Sequence, residues 1–188
     1  MEYQVVNANE WLYPDKRVKL GGEKKLNLFC ARGSYATAQI LLGRLPSGEK
    51  IACRLRGDAA DLWPYSVTME VYRQVDVRVN ANTGPKDCIA RSGDDPTPYV
   101  TRLAPFRVYY CPRPLTSACA TNRGTNALYI AIRVPAETPA GLYKGSVKLR
   151  VGEKEAKIPL KLRVYAACVP EKGNLIVTNW FNYDNIAS

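Results

Sequence analysis

Apolar and polar residues alternate with a period of two along most of this chain, the pattern of strands with one face buried and one face in water. Leu128, Ile130, Ile132 and Val134 form one such set, with Tyr129 and Arg133 between them. Val147, Leu149 and Val151 continue the phase of Tyr143 and Gly145, with Lys144, Ser146, Lys148 and Arg150 assigned outward. Ala156, Ile158, Leu160, Leu162 and Val164 form a third set. Gly152 and the charged Glu153–Glu155 between the last two sets predict a β-hairpin. Val67, Met69, Val71, Val75, Val77 and Val79 share one parity, and Arg73 interrupts it, so a bulge is expected near that residue. Shorter strands are expected at 2–6, 16–20, 25–31, 36–42, 51–55 and 106–110. Residues 34–42 alternate imperfectly and are assigned to strand.

No stretch of ten or more residues carries a 3.6-residue period. Thirteen Gly and thirteen Pro punctuate the strands, most densely at 80–98, and 111–126 reads as a second irregular stretch. Many half-buried strands without helices bury their apolar faces as two sheets packed together. The expected fold is therefore all-β, an antiparallel two-sheet β-sandwich, immunoglobulin-like or jelly-roll-like. Residues 1–170 are assigned to it. Residues 171–188 read as a linker and the strand Leu175–Asn179, followed by Trp180, Phe181 and Asn182. That stretch is either the first strand of a further domain or a last edge strand with a frayed tail.

Composition changes this picture by exclusion. The chain has no histidine, which removes the Ser-His-Asp triad, the Cys-His pair and His-ligated zinc. The six cysteines show no Cys-x-x-Cys spacing. Cys30 and Cys53 fall in phase with buried leucines and isoleucine and read as small apolar core residues, whereas Cys111 and Cys119 flank a Pro-containing loop and are the best candidates for a bridge. A net charge of +10 allows phosphate binding, but much of it sits on outward strand positions, and no helix-turn-helix or RNA-binding aromatic signature accompanies it. Neither nucleic acid nor membrane is expected as a partner. No secretory leader pattern precedes Glu2, and the compartment, cytoplasmic or extracellular, is left open.

Chemistry-bearing clusters are sparse. Asp58, Asp61, Glu70, Asp94, Asp95 and Glu137 show no spacing that sets two carboxylates across a glycosidic bond. Asp94-Asp95 reads as a turn. No cofactor or metal site is expected and no catalytic residue is assigned. Trp11, Trp63 and Trp180 have faces able to stack on sugar rings; Trp63, Trp180 and Asn182 are the assigned ligand-binding candidates, although Trp63-Pro64 also suits a packing corner. Of Tyr109 and Tyr110, one ring is expected in the core and one exposed.

The run Asn126-Ala-Leu-Tyr-Ile-Ala-Ile-Arg-Val-Pro-Ala-Glu-Thr-Pro-Ala-Gly-Leu-Tyr-Lys-Gly-Ser146 resembles a segment of the N-terminal β-sandwich domain of family 123 glycoside hydrolases and their uncharacterised relatives. Ala31-Arg32-Gly33-Ser34-Tyr35-Ala36-Thr37-Ala38-Gln39 is similar to an earlier strand of that domain, with Ser34 where the family usually carries an acidic residue. The resemblance implies a bacterial, non-catalytic accessory domain whose partner is its own C-terminal catalytic barrel. There a neighbouring Asp-Glu pair assists the substrate's N-acetyl group, and no position of this chain matches that pair. The alternative is an independent carbohydrate-binding or protein-interaction module.

Overall fold

The computed structural model describes residues 1–19, 21–57, 63–64, 66–82, 102–115, 120 and 124–173. The expected strand at Leu175–Asn179, the candidates Trp180 and Asn182, and Asp58, Asp61, Asp94, Asp95 and Cys119 all lie outside these residues.

The described chain forms β1 (Tyr3–Val6), β2 (Leu26–Arg32), β3 (Ser34–Leu42), β4 (Ile51–Gly57), β5 (Thr68–Val79), β6 (Phe106–Pro114), β7 (Asn126–Val134), β8 (Gly141–Val151) and β9 (Lys154–Cys168). They make two sheets, one of five strands in the order β1-β3-β7-β5-β6 and one of four in the order β2-β9-β8-β4. This is the expected β-sandwich. Pairing is antiparallel throughout, except that β2 lies parallel to β9 at the edge of the smaller sheet.

The inward parities meet as one core. Ile40, Leu42, Leu128, Ile130, Ile132 and Val134 of the larger sheet pack against Leu26, Val147, Leu149, Ile158, Leu160 and Leu162 of the smaller, and all are essentially inaccessible to solvent. The β8–β9 hairpin closes through Gly152-Glu153, and Gly152 takes a φ of +56°, which suits glycine. Gly33, at φ +69°, is the single residue by which the chain leaves the smaller sheet at β2 and enters the larger at β3. A Cβ there would lie 2.7 Å from the Val169 carbonyl oxygen. The same corner is tied by the Val169 amide donating to Arg32 O at 2.9 Å, and by the Arg32 guanidinium donating to Ala166 O at 2.8 and 3.1 Å.

Three expectations are corrected. Residues 16–19 form no strand; they belong to a segment, 7–19, that crosses the outer face of the larger sheet without a ladder partner. β6 continues through Pro114, so 111–114 is ordered strand rather than loop. Cys111 carries a free, exposed thiol, and its candidate partner Cys119 lies outside the described residues. Ser146, assigned outward, is buried between Arg56 of β4 and Pro159 of β9 in the sheet register. The bulge expected near Arg73 occurs between Val75 and Asp76, whose partners are Cys111 and Tyr109; the extra residue is Tyr110 on β6. Cys30 and Cys53 are free thiols packed into the core, and burial raises both, Cys53 to about 12.

Candidate functional site

The outer face of the larger sheet is not bare. Val6, Leu41, Ala127 and Tyr109 point away from the main core and meet Leu12, with Val18 alongside, in a second small apolar cluster. The covering segment is fastened by backbone bonds from Tyr109 N to Leu12 O at 2.9 Å and from Thr125 N to Pro14 O at 3.0 Å. The Tyr109 hydroxyl donates to Thr125 O, and burial pushes this phenol up to about 12. Arg102 pairs with the Asp15 carboxylate and lies 4.6 Å from the centre of the Tyr13 ring; this guanidinium holds the Asp15 carboxyl below its usual range.

Under this layer sit two amides. Gln39 is buried, and its side-chain nitrogen lies 2.9, 3.1 and 2.8 Å from the carbonyl oxygens of Asn7, Ala8 and Glu10. Its own carbonyl oxygen accepts a hydrogen bond from the buried Gln74 side chain. An amide in mid-strand on an otherwise apolar face is thereby satisfied by the backbone it clamps.

Beside the clamp opens a cleft of about 330 Å³, lined by Glu10, Trp11, Gln39, Gln74, Tyr110 and Tyr129 among others. Its rim carries two exposed rings. Trp11 (51% exposed) and Tyr110 (64%) lie 6.1 Å apart at 15° to one another. The β6 bulge explains the second ring. An inserted residue breaks the alternation and re-aims a side chain, so both Tyr109 and Tyr110 line the cleft, one buried and one exposed as expected for the pair. Near-coplanar exposed aromatic faces above amide and carboxylate groups suit the stacking of a flat polyhydroxylated ring, with polar groups at its edge.

Trp63, the one assigned ligand candidate within the described residues, sits elsewhere, on the smaller sheet. Its indole N–H donates to Lys144 O, and its ring packs 5.9 Å from the Tyr143 ring over Gly57 and Gly145. Any Cβ at Gly57 would run into that ring. Trp63 also lines an open cleft with Cys53–Gly57 and Val67–Met69. The geometry gives it a packing role at the β4–β8 edge, and it does not join the Trp11 cleft. Gln39, Gln74, Glu10 and Tyr110 carried no signal of function in the sequence beyond the blurred alternation of 34–42.

Among the described residues no group of His, Cys, Asp or Glu could hold a metal ion, and no helix is long and apolar enough to cross a membrane. Of the described carboxylates weighed for catalysis, Glu70 accepts a hydrogen bond from the Tyr72 hydroxyl at 2.7 Å.

What these features define is an all-β sandwich with a second layer on one outer face. No protein-family model matches the sequence, and no curated protein matches it. Among solved structures, a family 123 glycoside hydrolase from Clostridium perfringens, described for glycolipid glycan hydrolysis, is similar in fold. The TM-score is 0.66 at 13% identity over 90% of this chain, and the chain spans 28% of that hydrolase's length. A type I cohesin from Pseudobacteroides cellulosolvens aligns over 81% of this chain and 99% of its own at 14% identity, with a TM-score of only 0.23.

Proposed function

We propose that this chain is a non-catalytic accessory sandwich of a glycoside hydrolase-like protein, packing on a catalytic barrel that the chain does not contain. The observation that carries the reading is the fold likeness over 90% of this chain to a portion of a much longer hydrolase. The sandwich also offers a surface for such packing. Phe29, Leu142 and Tyr165 are exposed on one end of the smaller sheet's outer face, beside the point where β9 ends, and the Phe29 and Tyr165 rings meet edge to face at 6.2 Å.

The test is an assay on aryl N-acetylhexosaminides of the 188-residue chain, alone and joined to whatever coding sequence its gene carries beyond Ser188. The expected outcome is no turnover by the chain alone and turnover by the joined protein, reduced when Phe29 and Leu142 are changed to Ser. Turnover by the purified chain alone would overturn the reading.

A second reading, a carbohydrate-binding module, is favoured by the paired Trp11 and Tyr110 rings. It expects neutral oligosaccharides to change tryptophan fluorescence at millimolar concentrations or below, and Trp11→Ala to remove the change. Flat titrations across neutral glycans count against it.

A further inference from the structure

The outward parity of the smaller sheet is cationic. Arg54 and Arg56 on β4, Lys144, Lys148 and Arg150 on β8, and Lys157, Lys161 and Arg163 on β9 are all exposed. Among them the only described outward carboxylate is Glu155. The register sets five of these eight cations opposite one another, while Arg150 faces Glu155. Arg54, Lys148 and Lys157 form one row across three strands, and Lys144 faces Lys161 in another. None of them makes an ion pair among the described residues, whose two ion pairs, Arg102–Asp15 and Arg107–Asp76, lie elsewhere.

Like charges directly opposite in a sheet are destabilising. A surface free of a single-sign field intersperses the two signs, whereas here eight cations stand against one described carboxylate, Glu155. Neighbouring strands lie about 4.8 Å apart and successive outward residues about 6.8 Å apart, so the cations form a closely spaced array of like charge. Within it Arg54, Arg56, Lys148, Arg150, Ala52 and Glu155 line a recess of about 220 Å³, in which three guanidinium groups and one ammonium outnumber the single carboxylate.

We propose that this face binds an acidic polysaccharide, one carrying sulfate or carboxylate groups along its length. The surface itself chooses among polyanions. Phe29 and Leu142 flank Arg163 at the end proposed above to meet a barrel, but around the recess and along the Arg54–Lys148–Lys157 row the intervening positions are Ala52, Ser146 and Pro159, so no aromatic ring stands there for bases to stack on. A flat strand face offers no element to enter a duplex groove. The site is separate from the Trp11 cleft and stands whether or not that cleft takes neutral sugar.

The experiment is equilibrium binding of the intact chain to dextran sulfate and to polygalacturonate, against neutral dextran, single-stranded DNA and anionic phospholipid vesicles, between 50 and 300 mM salt. The expected result is binding of both acidic polysaccharides and none of neutral dextran, with affinity falling steeply as salt rises. The triple variant Arg54→Gln, Lys148→Gln, Lys157→Gln should bind about tenfold or more weakly and lose part of the salt slope. A matched control, Arg17→Gln, Lys19→Gln, Arg44→Gln, removes as many charges off this face and should change binding less than twofold. Melting curves show whether each variant is folded. Trp11→Ala should leave this binding unchanged. Equal losses in the two triple variants, tighter binding to DNA or vesicles than to the acidic polysaccharides, or no binding at low salt would each overturn the proposal.

Discussion

The two outer faces of the sandwich are built from the same alternation and end in opposite states. On the larger sheet the outward residues include Gln39, Leu41, Ala127 and Tyr109, and a non-strand segment folds over them. On the smaller sheet the outward residues are mostly Lys and Arg, with Phe29, Leu142 and Tyr165 at one end, and no described segment covers the cationic rows. Alternation therefore tells which side chains leave the main core. It does not tell whether they meet water or a second layer; the chemistry of the outward residues decides that. A strand buried on both faces reads as a near-continuous apolar run. That is why 34–42 alternates poorly, with Ala38 through Leu42 all buried, whereas β8 and β9 alternate cleanly.

Breaking the inner side of the bare face should give the largest effect. Val147 and Lys148 are adjacent but point to opposite sides of β8, one fully buried and one exposed. Val147→Asp places an unpaired charge in the core and should abolish the cooperative thermal transition, a loss above about 4 kcal/mol. Lys148→Asp should melt within a few degrees of the parent. Equal melting of the two would refute the assigned strand phase.

The covered face should break next. Gln39→Ala removes the clamp on the Asn7, Ala8 and Glu10 carbonyls and should cost about 3 kcal/mol. Limited proteolysis should then cut first within residues 7–19, whereas cutting elsewhere would mean that the amide does not hold the layer.

Alkali sharpens the contrast more gently. Tyr109 is raised from 10.0 to about 12 and Cys53 from 9.0 to about 12, both by burial. Because the folded values exceed the unfolded ones, stability is full below pH 9, starts to fall as the unfolded thiol ionises, and goes on falling as pH rises through about 12. The Tyr109 share is of the order of 2 kcal/mol. Tyr109→Phe should flatten the melting-temperature profile above pH 10 while leaving a Cys53 component, and an unchanged profile would contradict the burial of this phenol.

The smallest effect belongs to Asp15. Its carboxyl is lowered by Arg102, so what it contributes is present at neutral pH and is lost as pH falls through and below the ordinary carboxylate range. The pair is open to solvent, so Asp15→Asn should cost no more than about 0.5 kcal/mol at pH 7.

Most of the fold was legible because its signal is local. The parities of β7, β8 and β9, the turn at Gly152 and the one-buried, one-exposed pair Tyr109 and Tyr110 follow from side-chain period and turn chemistry. The parallel pairing of β2 with β9 was not legible, since no local pattern records which distant edge a strand meets. The cleft was legible only in part. Trp11 was a stacking candidate on its chemistry, but its partner Tyr110 depends on a bulge whose position is set by cross-strand register. Gln39 and Gln74 carry no local signal of their burial, because the segment that buries them forms no regular element.

The corner at Gly33 also has a consequence for how the chain is made. β2 finds its strand neighbour only in β9, and the tie from Arg32 to Ala166 spans 134 residues. At synthesis rates of roughly 5–20 residues per second, that interval lasts about 7 to 27 s. Through it, a strand carrying Leu26, Leu28 and Cys30 on one side and Phe29 on the other waits without its partner. An edge strand that emerges so long before its neighbour is where shielding during synthesis would matter most.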